Sequence, residues 1–365
     1  MSEWQTFCLK DLGKIVGGTT PPTNNLKNYG NKIAWITPKD LSTLQGRYIK
    51  KGSRSISRLG FKSCSCALLP KHAILFSSRA PIGYVAIAEK RLCTNQGFKS
   101  IIPNKKIYFE FLYYLLKYHK DNISNIGGGT TFKEVSGATL GLFEVKIPPT
   151  YYEQQKIART LSVLDQKIEN NHKINELLHN LAHKVYEYYF KYKPKNAKLE
   201  QIIIENPKSS IMVKNAQKTQ DKYPFFTSGD NTLSYPKAII DGRNCFLNTG
   251  GNAGIKFYVG KASYSTDTWC ICANEFSDYL YLLLSSIKNH INQSFFQGTS
   301  LKHLQKNLLK KYPIYMPSVH EIKKFNQIMM PLLTLISINT RTSKKLEQIR
   351  DFLLPLLLKQ QVKPQ

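Results

Sequence analysis

Acidic side chains are scarce in this 365-residue chain: 24 Asp and Glu stand against 52 Lys and Arg, a formal net charge of +28. An imbalance of that size makes a polyanion the first partner to consider, either nucleic acid or an anionic membrane surface. Long apolar runs are missing too. The longest uncharged stretch, Phe325 to Thr340, is interrupted by Asn326, Gln327 and Asn339, and a spanning helix needs about 20 apolar residues. Met1 to Lys10 has no apolar signal core. No membrane role is therefore expected, and a cytoplasmic location is.

Cysteine is sparse and odd in number. Seven residues scattered over a chain of this length do not make a disulfide framework and fit a reducing compartment. Cys64-Ser-Cys66 and Cys270-Ile-Cys272 resemble metal half-sites. Each is read instead as part of an apolar strand with both thiols on one face, because zinc sites use CxxC rather than CxC spacing.

Catalytic signatures are lacking as well. Gly250-Gly-Asn-Ala-Gly-Ile-Lys256 has the wrong spacing for a phosphate-cradling GxxxxGK[ST] loop and lacks its final hydroxyl. Thr20-Pro-Pro-Thr23 and Ile147-Pro-Pro-Thr150 lack the leading Asn or Asp of an amine methyltransferase tetrad. The Gly17-Gly-Thr-Thr20 loop has no dinucleotide-type glycine spacing. Glu144-Val-Lys146 could be half of a Mg²⁺ nuclease site, but no convincing Asp precedes it, and Pro313-Ile-Tyr315 replaces it later in the chain. His179 and His183, one helical turn apart beside Glu176 and Glu187, read as solvated polar positions rather than metal ligands. Nothing signals a Ser-His-Asp or Cys-His arrangement.

What the chain does contain is itself, twice. Gly129-Thr-Thr-Phe-Lys133 recurs as Gly298-Thr-Ser-Leu-Lys302, 169 residues on. Phe143-Glu-Val-Lys-Ile-Pro148 recurs as Tyr312-Pro-Ile-Tyr-Met-Pro317, each a short apolar strand closed by proline. A long helix is expected next in each copy, from Glu153 to Phe190 and from Glu321 to about Lys359. At an offset of 168, Ile157, Leu161, Leu164 and Ile168 fall on Phe325, Met329, Leu332 and Ile336. Further along, Leu178, Val185 and Tyr189 fall on Leu346, Leu353 and Leu357.

Steps of three and four over five heptads describe a coiled-coil seam, and about 37 helical residues make a rod of roughly 55 Å. Polar interruptions superpose as well, Asn171 and Asn175 falling on Asn339 and Ser343; polar residues in a seam commonly set register and partner. These matches favour two helices that pair with each other over two that only pack on their own domains. Pro331 and Pro355 are expected to kink the second.

Upstream the copies match more loosely. Ser77-Ser-Arg-Ala-Pro-Ile-Gly83 stands where Asn248-Thr-Gly-Gly-Asn-Ala-Gly254 stands later, and Thr94-Asn-Gln96 where Ser265-Thr-Asp267 does. Both glycine-containing segments follow a buried-strand pattern, Ala73 to Phe76 and Cys245 to Leu247, and precede another strand, Tyr84 to Ala88 and Lys256 to Val259. An aromatic helix follows in each copy, Tyr108 to Lys117 and Asp278 to Ser286. The fold class is thus mixed α/β (α+β): two β-rich globular domains in tandem, each followed by a long α-helix, the helices pairing as an antiparallel coiled coil with pseudo-two-fold symmetry. The expected partition is 1–150 and 196–318 for the globular domains, with 151–195 (long helix and linker) and 319–365 for the helices.

Charge concentrates on the globular parts: residues 1–150 hold 22 basic and 8 acidic groups, and 196–318 hold 14 and 8. Lys and Arg give affinity through phosphates, while Arg, Asn and Gln read base edges. Candidate DNA contacts in the first domain are Lys39, Lys51, Arg54, Arg58, Arg79, Gln96, Thr130 and Lys133. In the second they are Lys222, Lys237, Arg243, Asn252, Lys256, Thr299 and Lys302.

Taken in order, Leu9-Lys-Asp-Leu-Gly13, Trp35-Ile-Thr-Pro-Lys-Asp-Leu41, Leu69 to Gly83, Thr94-Asn-Gln-Gly97 and Ile147-Pro-Pro149 before Glu153-Gln-Gln-Lys-Ile157 resemble the specificity subunit of type I restriction-modification systems. The resemblance covers essentially the whole chain. It departs in the second copy, where Glu321-Ile-Lys-Lys replaces Glu153-Gln-Gln-Lys and no Trp-Ile-Thr-Pro segment appears.

The resemblance implies two target recognition domains, each reading half of a bipartite site in double-stranded DNA, and helices that fix the spacer and dock two methyltransferase subunits. Restriction and translocation subunits would join them. S-adenosylmethionine, ATP and Mg²⁺ would belong to those partners, with no cofactor held by this chain. Two other readings are a stand-alone sequence-specific DNA-binding protein and a DNA enzyme resting on Glu144 and Lys146.

Overall fold

A computed structural model of the chain describes residues 3–79, 81–129, 133–216 and 222–364. It holds two compact units: Met1–Asn170 together with Ser343–Gln365, and Asn171–Thr342. Both long helices are thus divided between the two units, the first in equal halves.

In the first unit, Gln5–Cys8 pairs antiparallel with Glu144–Ile147 and closes the globular part just before the helix. The main sheet has the order Gly13–Gly17, Lys99–Pro103, Ile74–Phe76, Val85–Ala88, Tyr48–Ile49. Its middle strand, Ile74–Phe76, is buried throughout, as the expected Ala73–Phe76 run requires. A smaller sheet joins Arg54–Ile56, Tyr29–Ile36 and Cys93–Thr94. The aromatic helix runs from Phe109 to Asn125, well past the expected Lys117, and buries Phe111, Tyr114 and Leu115 in the core.

The second unit repeats this plan. Ala197–Lys198 pairs with Pro313–Ile314. A four-stranded sheet has the order Ile204–Glu205, Thr268–Cys272, Arg243–Asn248, Ile255–Val259, and the aromatic helix Ser277–Ser286 packs on it.

One expectation fails. Cys64 and Cys66 are not on a strand: the Ser57 hydroxyl accepts from Gly60 N at 3.0 Å and caps a short helix, Arg58–Lys62. The chain leaves that helix in a turn, and both cysteines join the cluster around Trp35 and Cys93. Cys270 and Cys272 do lie on a strand. Among the described residues, no three His, Cys, Asp or Glu stand close enough to hold a metal ion, and no helix is long and apolar enough to cross a membrane.

The long helices, Tyr151–Phe190 and Val319–Leu358, are each 40 residues and begin and end 168 positions apart. The second starts with a capping box, in which a hydroxyl and a carboxylate three residues on satisfy each other's free backbone N–H, and the first with the hydroxyl half of one. Glu153 N donates to Thr150 Oγ1 at 3.2 Å and Glu321 N to Ser318 Oγ at 3.3 Å, while Glu321 Oε2 accepts from Ser318 N at 2.9 Å. The second helix is continuous through Pro331 and Pro355.

Within each unit the half-helices run antiparallel. In the first, Ile157 and Leu161 share a core with Leu354, Leu357 and Leu358, and Leu353 packs on it. Leu164 and Leu346 are half-buried, and Ile168 is buried. In the second unit, Phe325, Met329 and Ile336 lie in the core with Leu178, Val185 and Leu332 against it. There the seam carries its polar bond: Asn339 Nδ2 donates to Asn175 Oδ1 at 2.9 Å, and Asn175 Nδ2 to Ile336 O at 3.3 Å. Asn171 is half-buried.

Glu321 gives this unit a defined response to acid. The Ser318 N–H and the Tyr315 hydroxyl, with Lys193, outweigh partial burial and hold its carboxyl at about 2, below the ordinary 4.5. A depressed carboxyl stabilises fully above its unfolded value, and that contribution is lost as pH falls through the folded value. Acid titration should therefore show stability falling between about pH 4.5 and 2, and Glu321→Gln should flatten the slope there. An unchanged slope in the variant would count against the role of this cap.

Candidate nucleic-acid interface

In the first unit the strand Ile74–Phe76 delivers the chain into a turn fixed by its own side chain and backbone. Ser77 Oγ accepts from Tyr84 N at 2.8 Å and donates to Pro81 O at 2.8 Å. Backbone bonds then draw two other loops to it: Ser78 N donates to Gly97 O at 2.8 Å, and Val135 N donates to Ser78 O at 3.0 Å. Residues 77–79 and 81–84, residues 94–98, and residues 128, 129 and 133–135 are thereby drawn together. Asn95 N donates to Ile36 O at 2.9 Å, which brings in the segment leading to Lys39.

The second unit builds the counterpart. Asn248 replaces Ser77 as the residue that shapes the turn, its N donating to Gly254 O at 2.9 Å and its Nδ2 to Asn252 O at 3.1 Å. Thr249 reaches Asp267 O through both N (3.3 Å) and Oγ1 (2.7 Å). Gly251 N donates to Lys302 O at 2.9 Å, and Leu304 N to Thr249 O at 3.0 Å. Segments 248–254, 265–268 and 298–304 meet as their counterparts do in the first unit. The loose sequence matches in the heads are the loops that converge.

Of the candidate contacts, Arg79, Gln96 and Lys133 lie on the first loop cluster, and Asn252, Thr299 and Lys302 on the second. Gln96 accepts from the Thr20 hydroxyl, and Arg79 pairs with Glu134 at 3.5 Å. Lys133, Asn252, Thr299 and Lys302 are exposed. Thr130 lies outside the described residues. Lys39, on the short helix Pro38–Ser42, is exposed beside the first cluster. Lys51, Arg54 and Arg58 are exposed, Arg54 on a strand of the smaller sheet, Lys51 in the loop before it and Arg58 at the start of the short helix after it. Lys222 lies over the Tyr223 ring at 5.4 Å, and Lys237 lines a surface recess with Tyr223, Asp241 and Lys261.

Two candidates face inward. Arg243 grips Asp278 at 2.6 and 2.7 Å and donates to Thr334 Oγ1 at 2.9 Å. Lys256 donates to Thr227 O at 2.7 Å and to Gly229 O, and its burial lowers its pKa. Both act in the fold, since their donors already have partners there.

Sequence reasoning missed the group that organises the first head. Arg47, 3% exposed, meets Glu110 at 3.0 Å, Glu169 at 3.1 Å and Asp165 at 3.9 Å. Arg350 reaches Asp165 at 2.6 Å, and Tyr114 donates to the same carboxylate at 2.5 Å. Lys99, which pairs with Glu134 at 3.3 Å, and Asn248 were missed as well. A usable signal existed: in a chain poor in acid, Asp165 and Glu169 stand four apart beside the apolar seam. Glu144 and Lys146 lie exposed on the closing strand.

The chain matches the type I restriction modification DNA specificity domain over residues 1–180 and again over 195–348. The type I restriction enzyme MjaIX specificity subunit of Methanocaldococcus jannaschii is 33% identical over 98% of this chain and 93% of its own length. A putative type I specificity subunit of Mycoplasma genitalium is 23% identical over 84% of this chain and 80% of its own. In fold, the crystal structure of a type I restriction-modification S subunit from M. genitalium superposes with a TM-score of 0.64 at 18% identity, covering 97% of this chain and 96% of that one. With two copies of the domain and a full-length relative at this identity, the chain belongs to the specificity-subunit family of type I restriction-modification systems.

Proposed function

We propose that this chain chooses the DNA sequence for a type I restriction-modification complex, each head reading one half of a two-part site. The observation that carries this reading is the pair of loop clusters: three loops per head, at matching places in the repeat, with basic and amide side chains on them. Arg, Asn and Gln can distinguish bases in the major groove, and Lys contacts phosphate. The two heads hold different side chains at those places, as readers of different half-sites require.

The paired helices act as the ruler for the spacer and as the dock for two methyltransferase subunits. A surface suited to docking is present on the second unit, where Ile174, Leu177 and Leu181 of the first long helix and Ile328, Leu335 and Ile338 of the second are exposed. They recur at steps of three, four and seven, a stripe on each helix beside the seam. S-adenosylmethionine, and ATP with Mg²⁺, belong to the methyltransferase and restriction subunits. This chain supplies sequence choice and no chemistry of its own.

A methylated-base map of the host genome, with and without the gene, tests the proposal. One two-part methylated motif should vanish when the gene is removed. A map that stays the same in a host with an active system refutes it.

A further inference from the structure

Each head is tied to a long helix by one arginine, and the two ties share a design that the sequence repeat does not supply. Glu110 and Asp278 are repeat equivalents, 168 apart, each the second residue of its aromatic helix. The arginines that grip them, Arg47 and Arg243, are 196 apart. Each follows a glycine with positive φ, Gly46 at +145° and Gly242 at +99°, a backbone region that favours glycine. At Gly46 a side chain would also be crowded, because a Cβ would stand 3.1 Å from Glu169 Cγ and push on the carboxylate that Arg47 binds.

The far ends of the ties land on one stretch of the repeat. In the first unit Arg47 N and Nε donate to Glu169 Oε1 at 2.9 and 3.1 Å. In the second unit the position equivalent to Glu169 is Ser337, and its Oγ accepts a backbone N–H of the head, from Val259, at 3.0 Å. Arg243 binds one turn earlier on the same helix, to Thr334 Oγ1 at 2.9 Å and Met330 O at 3.4 Å. Position 169 of one copy and 337 of the other therefore both receive head backbone, with a guanidinium alongside.

The two ties differ in strength. Arg47 sits among three carboxylates, and Arg350 shares one of them. Arg243 has one carboxylate, and its links to the helix are neutral acceptors. Guanidinium–carboxylate bonds are roughly twice as strong as neutral ones and fix direction as well as distance.

We infer that Arg47 and Arg243 are positioning residues that fix the angle of each recognition head on its stretch of long helix. Through that angle they set how sharply the complex discriminates the spacing between half-sites. This rests on the proposed function. Both guanidinium groups are engaged by partners within their own unit. The second head is joined to its helix by neutral links, so removing one of them, as Thr334→Val does, loosens its setting while the buried Arg243–Asp278 pair stays in place.

The test uses the complete complex with its methyltransferase subunits. Methylation is measured on duplexes carrying the mapped site with its own spacer and with one base pair added or removed. The variants are Thr334→Val, which removes only the hydroxyl acceptor, and Arg243→Gln; hydrogen exchange on the free chain follows residues 258–260 and 330–337.

Geometric misplacement by about 1 Å costs up to roughly 100-fold in rate. The wild-type preference for its own spacer should therefore fall by about tenfold in the variants, with the rate on the native spacer changed less than about threefold. Exchange should rise at 258–260 and 330–337 and stay low in the strand Arg243–Asn248. Arg243→Lys should recover part of the preference. Folded variants that keep the wild-type spacer profile overturn the inference and leave the proposed function standing. A wild-type complex that modifies no two-part site overturns both.

Discussion

Between 50 and 200 mM monovalent salt, cognate DNA binding by the assembled complex should weaken by roughly 10³ to 10⁵-fold, the loss expected for about six to ten phosphate contacts. The expectation follows from where the charge lies. The first globular segment alone holds 22 basic against 8 acidic groups. Among its candidates, Lys39, Lys51, Arg54, Arg58 and Lys133 are exposed. Each phosphate neutralised releases bound counterion, so the logarithm of affinity falls linearly with the logarithm of salt, by about 0.9 per contact. Fluorescence anisotropy across a salt series reads the slope directly. Substituting Lys133 or Lys302 by Ala should lower the slope by about one for any DNA sequence. A complex whose affinity barely moves with salt would mean that these lysines face away from the duplex.

Asp165→Ala should be the most damaging single substitution in the first unit, at about 3–5 kcal/mol, because removing one partner from a buried ion network leaves the others uncompensated. Asp165 is 4% exposed and accepts from both Tyr114 and Arg350. Without it, the Tyr114 hydroxyl is buried with no acceptor there, and Arg350 keeps only Asp351, which is largely exposed. Asp165→Asn keeps an acceptor and should cost less. Urea unfolding followed by hydrogen exchange in Phe109–Asn125 separates this unit from the other. A loss below about 1 kcal/mol would show that Arg47 and Glu169 carry the network unaided.

The long helices were the most legible part of the molecule. Ile157, Leu161 and Ile168 repeat at helical spacing for long enough that local pattern and tertiary packing agree, and the 168-residue offset predicts both ends. The buried strands Ile74–Phe76 and Arg243–Asn248 were legible for a similar reason, as short apolar runs bounded by turn residues.

Other features depend on partners far away in sequence. Arg243 and Lys256 look like surface cations locally, and only Asp278, 35 residues on, and the carbonyls of Thr227 and Gly229 draw them inward. Arg47 meets Glu169 across 122 positions. The turn at Cys64 was missed because the Ser57 cap outweighs the apolar run that follows it.

In both loop clusters, many of the bonds that join the three loops run from backbone to backbone, as with Ser78 to Gly97, Val135 to Ser78 and Gly251 to Lys302. Such bonds do not depend on which side chains the loops carry. Substitution at an exposed loop position away from special features typically changes stability by no more than about 0.5 kcal/mol. Residues such as Lys133, Asn252 and Thr299 can therefore drift without endangering the fold. A lineage carrying this gene could move to a new DNA target through a few such changes, each nearly silent for stability, while the helices stay as they are.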